Sequence, residues 1–375
     1  MRFLPDQQMP LFPDQDKSAE AAWSDRPLLT EDQRALLRRV LSDRINVVCF
    51  GAGVDSTAML VALHAADIPV ALTTFADTGA EKPSTLEHVA RMNGVLKQWG
   101  WAPIETCRKV PKATTPYVDL YGNCWSNFTL PSLAFGMKSC SVKWKQKPQD
   151  ALIRGVRSGP QTRPPHPIWI EAQERGVRIL KLIGYDCGPA DIRRTKAINK
   201  GAKDAFDYAY PLQLIGWTRR ECTWAIVRDL GPELLPQKSS CFMCPAAKLW
   251  ELFWLAAECP ELFEAALKLE HRALTGRHSR FDEEEFGASW EELVRNADRF
   301  PSSNTTVGLG RNFAWNQWAR VNGVVDETGR VRRDQREVFL ARADALQSES
   351  GNAFDRRWSE RANLITTSSP GAIAA

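Results

Sequence analysis

An alternation of strands and helices over residues 45–109 constrains the fold of this 375-residue chain more than any other feature. Short apolar runs rich in β-branched residues predict buried strands, and helical periodicity fills the intervals between them. The strands are expected at 45–50, 70–75 and 103–109, and the helices at 55–64 and 84–98. This order is typical of a parallel sheet with right-handed crossovers. We therefore predict an α/β fold with a doubly wound parallel sheet.

The rest of the chain divides into a continuation of this domain and a helical region. Residues 29–245 are expected to form the α/β domain, and residues 246–362 a helical region rich in tryptophan. Residues 1–28 and 363–375 lack periodicity and are expected to be mobile tails. Further elements are predicted as a helix over 31–43 capped by Thr30, an irregular lid over 111–135, a helix over 145–157, a loop over 158–166, a strand over 180–185, and helices over 217–229, 246–257 and 260–274.

The charge balance excludes a protein that binds nucleic acid by bulk charge alone. Lysine and arginine total 49 against 45 acidic residues, and the net charge is +4. The sequence has no run of 18 apolar residues, and its first 20 residues contain acids and prolines where a signal peptide needs an apolar segment. We expect a cytoplasmic protein without a membrane partner. Its nine cysteines are then expected to be thiols, metal ligands or catalytic groups.

The segment from Phe50 to Thr57, Phe-Gly-Ala-Gly-Val-Asp-Ser-Thr, predicts an anion-binding loop. A strand ends there in small residues, and a helix begins at once. Glycines let backbone N–H groups approach an oxyanion, and the helix N-terminus adds partial positive charge. The spacing differs from that of a Walker loop, which also carries a lysine. An ordinary strand-to-helix turn is the alternative interpretation.

This loop resembles the Ser-Gly-Gly-x-Asp-Ser pyrophosphate loop of the adenine nucleotide α-hydrolase-like (PP-loop) superfamily. Five further segments, in the same order, resemble the phosphoadenosine phosphosulfate (PAPS) reductase family within that superfamily. They begin at Asp77-Thr-Gly-Ala-Glu-Lys-Pro, Cys140-Ser-Val-Lys-Trp-Lys-Gln-Lys-Pro, Ile183-Gly-Tyr-Asp (with Arg193-Arg194), Tyr210-Pro-Leu (with Trp217-Thr218) and Ser240-Cys-Phe-Met-Cys-Pro. The resemblance covers about residues 45–250 and implies a PP-loop (HUP-like) ATP pyrophosphatase domain over 29–245.

The resemblance implies that this domain binds ATP and Mg²⁺, and it assigns candidate site residues. The nucleotide is expected at Gly51, Ala52, Gly53, Val54, Asp55, Ser56, Thr57, Asp77, Thr78, Gly79 and Glu81. Catalytic roles fall to Asp55, Lys145 and Arg194, with Lys143 as a nearby second candidate for phosphate contact. Asp77 and Glu81 are expected to hold Mg²⁺ or the ribose, or to be simple N-terminal helix acids. Gly51 and Ala52 replace the usual serine and glycine, which leaves one hydroxyl fewer for the pyrophosphate.

Cys140, Cys241 and Cys244 form the candidate metal site. Soft thiolates select zinc or an iron–sulfur cluster. Three ligands suit a [4Fe–4S] cluster with one open iron, and they resemble the three-cysteine clusters of some sulfur-transferring PP-loop enzymes. Cys124 or Cys187 as a fourth ligand would close the site and make it structural. Zn²⁺, or buried thiols without any metal, are the alternatives.

Together these features predict an enzyme of sulfur chemistry that cleaves ATP to AMP and pyrophosphate. It would adenylate an acceptor, and sulfur delivered through the cluster would then displace AMP. The acceptor is expected to be a nucleic acid, as in tRNA thiolation or DNA phosphorothioation, or a small metabolite, with a sulfur-donor or complex partner protein. Two basic runs, over 138–147 and 193–203, would line a polynucleotide groove or simply face solvent.

Two alternative functions stay open at this point. A sulfonucleotide (PAPS) reductase is one of them, although the chain lacks the C-terminal Glu-Cys-Gly-Leu-His segment of the thiol-dependent reductases. A non-catalytic subunit that senses ATP within a larger complex is the other.

Overall fold

A computed structural model describes residues 26–157, 162–199, 205–275, 308–311 and 313–349. Its centre is a five-stranded parallel sheet with the strand order β3–β2–β1–β4–β5. The strands are β1 (Asn46–Phe50), β2 (Leu72–Ala76), β3 (Glu105–Cys107), β4 (Leu180–Ile183) and β5 (Asp207–Ala209). The predicted α/β fold with a Rossmann-like parallel sheet is therefore confirmed. The strand order reverses between β1 and β4, and open α/β sheets bind ligands at the carboxyl ends of strands at such a point.

Helices connect these strands and continue beyond the sheet. They are α1 (Glu31–Leu41), α2 (Val54–Ala65), α3 (Pro83–Gln98), α4 (Leu120–Ser126), α5 (Ser139–Ser141), α6 (Lys147–Arg154), α7 (Pro167–Glu174), α8 (Pro189–Asn199), α9 (Pro211–Leu214), α10 (Arg219–Leu230), α11 (Leu249–Glu258), α12 (Pro260–Thr275), α13 (Trp315–Val321) and α14 (Arg336–Glu349). A π turn, Val142–Gln146, joins α5 to α6, and 3₁₀ turns lie at Ser132–Phe135, Pro232–Leu234 and Arg333–Gln335. None of the described helices combines the length and apolar character needed to cross a membrane.

The sheet core explains why the first elements match their predicted positions closely. All residues of β2 are buried, and α2 is buried along most of its length between the sheet and α10. The helix α1 begins with the predicted cap, because the Gln33 N–H donates to the Thr30 hydroxyl at 3.2 Å. The Gln33 side chain accepts from the Thr30 N–H in return, at 3.0 Å. This reciprocal capping box satisfies two N–H groups at the helix start.

A second core forms around the tryptophan-rich helices, and it includes the segment predicted as an irregular lid. Helix α11 packs against α14, and α12 packs against α4 and α13. Buried Leu120 and Trp144 belong to this core together with Phe263 and Trp315. The prediction of an irregular segment over 111–135 is wrong for α4, because Asp119 caps that helix by accepting from the Gly122 N–H at 2.6 Å.

Other elements of the structure differ from the predicted elements in their bounds or were not predicted. The helix expected over 145–157 begins at Ser139 through the π turn and ends at Arg154. Helices α7, α8 and α9 and the three-residue strand β5 had no counterpart among the predicted elements. The predicted tail over 363–375, most of the tail over 1–28 and part of the loop over 158–166 lie outside the described residues.

Candidate functional site

Residues 51–53 connect β1 to α2 and place the N-terminus of α2 at the carboxyl edge of the sheet. Ala52 is buried and takes a left-handed conformation with φ +54°. Gly53 caps the helix in an extended conformation, and its N–H donates to the Ser56 hydroxyl oxygen at 3.2 Å. The Ser56 hydroxyl donates to the Gly53 carbonyl at 3.0 Å. These contacts fix a loop at the positive end of a helix, where anions bind favourably.

A cavity of about 340 Å³ opens beside this loop. The predicted residues Gly51, Gly53, Asp55 and Ser56 line it, and so does Lys145. This volume lies at the small end of the range for small-molecule sites. The structure therefore brings the loop and the candidate catalytic lysine to one space.

Thr57 was also predicted to contact phosphate, but its hydroxyl contacts protein groups instead. Its side chain is fully buried, and its hydroxyl donates to the Gly53 carbonyl at 3.0 Å. Nε2 of His88 lies 2.8 Å from the same oxygen. The Thr57 hydroxyl therefore contacts both the Gly53 carbonyl and the His88 ring. Burial lowers the pKa of His88 to about 4, and the charge of Arg91 adds to this effect. Val54 is buried as well, so the side chains of Val54 and Thr57 pack in the protein interior and do not reach a ligand in the cavity.

Asp55 belongs to a cluster of three carboxylates. Its side chain and those of Asp186 and Asp191 place oxygens within 4.8 Å of one another. Arg219 donates to Oδ2 of Asp55 at 2.8 Å, and Arg194 donates to Oδ1 of Asp191 at 2.5 Å. Burial raises the pKa of Asp191, an effect that Arg194 opposes and the Asp186 charge reinforces. Hard oxygen ligands of this kind suit Mg²⁺, and Asp55 also lines the cavity.

Arg194, the third predicted catalytic residue, does not line the cavity itself. Its guanidinium lies 5.8 Å from the ring centroid of Tyr185, which does line the cavity. Tyr185 stacks in turn on Tyr210, with 5.8 Å between the ring centroids. Arg194 therefore reaches the site through Asp191 and Tyr185.

The second predicted nucleotide-binding segment, residues 77–81, lies outside the cavity wall. Nε of Arg108 donates to Oδ2 of Asp77 at 2.8 Å, and the Gly79 N–H donates to Oδ1 of Asp77 at 2.7 Å. Gly79 has φ +73°, and a Cβ there would lie 2.4 Å from Cβ of Asp119. Asp77 thus organises the loop after β2, and its binding of Mg²⁺ or ribose stays a prediction.

Glu81 is the most buried acid of this segment, with a side chain only 1% exposed. Its Oε1 accepts from the Thr78 hydroxyl at 2.9 Å and lies 3.4 Å from Nζ of Lys145. Its Oε2 is buried without a hydrogen-bond partner among the described residues. Burial lowers the pKa of Lys145, but Glu81 raises it through its charge and its hydrogen bond, and the net pKa lies above its usual value. The lysine is therefore a cation beside the cavity.

Cys241 and Cys244 lie next to this pair. Their turn is closed by the Cys244 N–H, which donates to the Cys241 carbonyl at 3.1 Å. A backbone bridge joins Cys241 to Glu81, and the Cys241 sulfur lies 3.3 Å from the Thr78 hydroxyl. Burial raises the pKa of both thiols, and at Cys241 the Glu81 carboxylate adds to the effect. The free thiols are consequently protonated at neutral pH.

The third candidate ligand, Cys140, has its own partner. Its sulfur lies 2.9 Å from the Ser132 hydroxyl, whose oxygen also accepts from the Cys140 N–H at 3.0 Å. Burial raises the pKa of neighbouring Cys124 to about 12, and the nearby Asp119 carboxylate adds to the effect. The Cys187 sulfur instead lies 3.9 Å from the Leu212 carbonyl oxygen.

These positions bear differently on the two predicted metal groups. Zinc bonds of about 2.3 Å in a tetrahedron separate sulfur ligands by about 3.8 Å. Within the described residues, no three cysteines have sulfur atoms within 4.8 Å of one another, so the Zn²⁺ alternative lacks a preformed site. A cubane cluster holds its ligands farther apart than a single ion does. Ligation of a [4Fe–4S] cluster by Cys140, Cys241 and Cys244 stays a prediction.

Three further cavity residues were missed by the sequence reasoning. Lys181 is buried within β4, pairs with Asp150 and lies 3.7 Å from the Phe206 ring centroid. A lysine inside an otherwise apolar strand is the signal that could have found it. At Gly184 a Cβ would lie 2.7 Å from Cα of Ser56, so glycine lets the end of β4 approach the start of α2. Cys49 is also at the wall, and burial raises the pKa of its thiol to about 11.

Comparison with known proteins assigns no family: no protein-family model matches the chain, and a search of the curated proteins finds no match. The site is therefore defined by its geometry. A helix N-terminus and Lys145 can stabilise phosphate oxygens, and the three aspartates can accept a divalent cation. Both features lie at the carboxyl edge where the strand order reverses.

Proposed function

We propose that the protein is a PP-loop (HUP-like) enzyme, similar to PAPS reductases, that binds ATP in this cavity and cleaves it between the α and β phosphates. One observation carries the proposal: the loop at Gly51–Gly53, the start of α2 and Lys145 all face a single cavity at the switch point of the sheet. Loop and lysine come from motifs more than 90 positions apart in the sequence, and both match the resemblance. Their convergence supports a shared phosphate ligand.

The residues take distinct roles in this proposal. The backbone of Gly51 and Gly53 and the N-terminus of α2 hold the pyrophosphate end, and Lys145 neutralises its charge. Phe75 and Tyr185 line the cavity with aromatic surface suited to the nucleoside. Mg²⁺, held by the three carboxylates of Asp55, Asp186 and Asp191, would stabilise charge on the leaving pyrophosphate.

The reaction that follows is adenylyl transfer. An acceptor oxygen attacks the α phosphorus, the bond from that phosphorus to the bridging oxygen breaks, and pyrophosphate leaves with the electron pair. In a second step a hydrosulfide-level sulfur, supplied by a donor, attacks the activated carbon and AMP leaves with its oxygen. Cys241 and Cys244 lie beside the Glu81–Lys145 pair, and the sulfur step itself is an expectation from the resemblance. Neither step requires a cluster.

A second candidate, an ATP-sensing subunit without chemistry, is favoured by the state of Thr57. Its hydroxyl is held between Gly53 and His88, and position 51 carries no hydroxyl, so the loop offers few side-chain donors to the pyrophosphate. Such a loop would retain binding through its backbone.

The test follows radiolabelled ATP on the full chain with Mg²⁺, a cellular nucleic-acid and metabolite fraction as acceptor, and calorimetry for binding. We expect AMP and pyrophosphate from the wild type, and AMP formation reduced about 10–100-fold by Lys145→Gln. Arg39→Gln, which removes an exposed cation from α1, is the matched control. Tight binding without AMP would favour the sensor, absence of binding would refute both functions, and PAPS turnover with thioredoxin would establish a reductase instead.

A further inference from the structure

A second cavity, of about 520 Å³, lies in the helical region between α4, α12, α13 and the turn over 326–330. Four permanent cations line it against one carboxylate, Glu264, among the described residues. The cations are Lys268, Arg272, Arg320 and Arg330, and His271 lies beside them. None of these residues belongs to the nucleotide site or to the two basic runs of the sequence.

Helix α12 builds one wall of this cavity. Residues 264, 268, 271, 272 and 275 recur at spacings of three and four, which places them on one face of the helix. The opposite face of α12 is buried in the second core through Phe263 and Leu269. The cationic face is therefore held rigidly by the packing behind it.

Arg272 is fixed at the centre of the wall. Its guanidinium carbon lies 3.9 Å from the ring centroid of Phe128 and 4.6 Å from that of Trp125. Its Nε donates to the Trp125 carbonyl at 2.9 Å. No carboxylate of the described residues pairs with it, so its terminal N–H groups form a preorganised fork for an oxyanion.

The surrounding charges leave the cavity positive. Lys268 and Arg320 are exposed and form no ion pair with any carboxylate in the described part of the chain. Arg330 lies 3.2 Å from Glu264, whose other oxygen accepts from the Val331 N–H at 3.1 Å. The single carboxylate is thereby already neutralised, and within the described ranges Lys268, Arg272 and Arg320 form no ion pair with a carboxylate.

We propose that this cavity binds the phosphodiester backbone of a single nucleic-acid strand. Lysine and arginine side chains that line a concave surface, and that pair with no carboxylate of the described residues, gain most from a ligand with repeated phosphates, because each contact releases condensed counterions. The cations come from three separate elements around the cavity, which are α12, α13 and the 326–330 turn. The inference does not rest on ATP cleavage, although a bound strand would suit an acceptor role.

The experiment measures fluorescence anisotropy of a 5′-labelled 12-nucleotide single-stranded DNA with the full chain at several salt concentrations. The variant K268Q/R320Q removes two unpaired cavity cations, and R39Q/K97Q removes the same charge from exposed positions on α1 and α3. We expect K268Q/R320Q to weaken binding at least 10-fold at low salt and to reduce the salt slope by about 1.4, the value for two lost contacts to a single strand. R39Q/K97Q should stay within about 2-fold of the wild type.

Three outcomes would overturn the proposal. They are equal weakening by both double variants, no oligonucleotide binding by the wild type, and binding of inorganic pyrophosphate at the cavity without competition by the oligonucleotide. Thermal denaturation of both variants establishes that they are folded. Their ATP binding should equal that of the wild type, so failure here is distinguishable from failure of the proposed nucleotide site.

Discussion

Nζ of Lys145 lies 3.4 Å from Oε1 of Glu81, and the two residues approach each other from opposite parts of the site. Lys145 lines the cavity beside the phosphate loop, whereas Glu81 is buried against the turn that carries Cys241. A single ion pair thus joins the candidate nucleotide site to the thiol pair.

Removal of Lys145 should therefore have two separable effects. Lys145→Met leaves the Glu81 carboxylate buried without its cation, which we expect to cost about 1–2 kcal/mol of unfolding free energy, discounted because the lysine is partly exposed. Adding Glu81→Gln should restore most of the stability but not ATP binding. Urea unfolding and calorimetry measure the two quantities. Recovery of ATP binding in the double variant would show that the lysine acts only as a partner of Glu81.

A methyl group at position 53 should test the phosphate loop sterically. A Cβ on Gly53 would lie 2.8 Å from the Ser239 hydroxyl oxygen, so Gly53→Ala should destabilise the protein by about 1–3 kcal/mol. Ser239→Ala removes the clashing oxygen, and the double variant should regain stability. Its ATP affinity should remain reduced, because the new methyl group still occupies the cavity wall. Full recovery of affinity would exclude close approach of phosphate to this backbone.

His88 should make stability depend on pH. Its folded-state pKa of about 4 lies below the ordinary value of 6.5, so only the unfolded state takes up a proton between these limits. Stability from this residue is complete above pH 6.5 and is lost as the pH falls towards 4. At pH 5 the loss should be about 2 kcal/mol. Urea unfolding at pH 7.5 and 5 should show a correspondingly smaller loss for His88→Gln, and equal losses would contradict the assignment.

Replacement of Glu270 by the isosteric glutamine should destabilise the protein. It is fully buried on α12, where Oε1 accepts from the Leu309 and Trp315 N–H groups and Oε2 accepts from the backbone and side-chain nitrogens of Asn316. Burial raises the pKa of Glu270, an effect that these donors oppose. Glu270→Gln would turn an amide NH₂ towards two donors, and we expect a loss of about 2–4 kcal/mol in thermal or urea unfolding.

Glu261 provides the control for that substitution. It lies at the exposed start of the same helix, and Glu261→Gln should change the unfolding free energy by less than about 0.5 kcal/mol. Comparable effects of the two substitutions would indicate that the buried donors do not hold Glu270 in place.

The predictable part of the fold is the part governed by local patterning. Strand β1, the loop at 51–53 and α2 lie within one residue of their predicted bounds, since an apolar run followed by glycines and a cap constrains the backbone locally. Helix α4 was missed because its stability comes from the Asp119 cap and from contact with α12, and its sequence has little helical pattern. Strand β5 has three residues, too few to show a period.

The site residues also divide into those that a local sequence pattern predicts and those that only the fold brings together. Motif positions located Gly53, Asp55 and Lys145 at the cavity, whereas the acids that surround Asp55 come from the segment after β4 and could be grouped only by the fold. Asp77 follows β2, and it was expected to hold Mg²⁺ or the ribose or to be a simple N-terminal helix acid. In the structure Asp77 instead pairs with Arg108, which follows β3, and organises the loop after β2. Pairings between distant segments decide such roles, and no local pattern encodes them.

The bridge between Glu81 and Cys241 spans 160 positions of sequence. Closing a segment of that length costs about 4.5 kcal/mol in chain entropy beyond a constant term. Cys241 also follows every strand of the sheet along the chain. The loop at 51–53 is therefore synthesised well before the turn that carries Cys241 and Cys244. A nascent chain would contain the candidate anion-binding loop before it contains the candidate ligands Cys241 and Cys244.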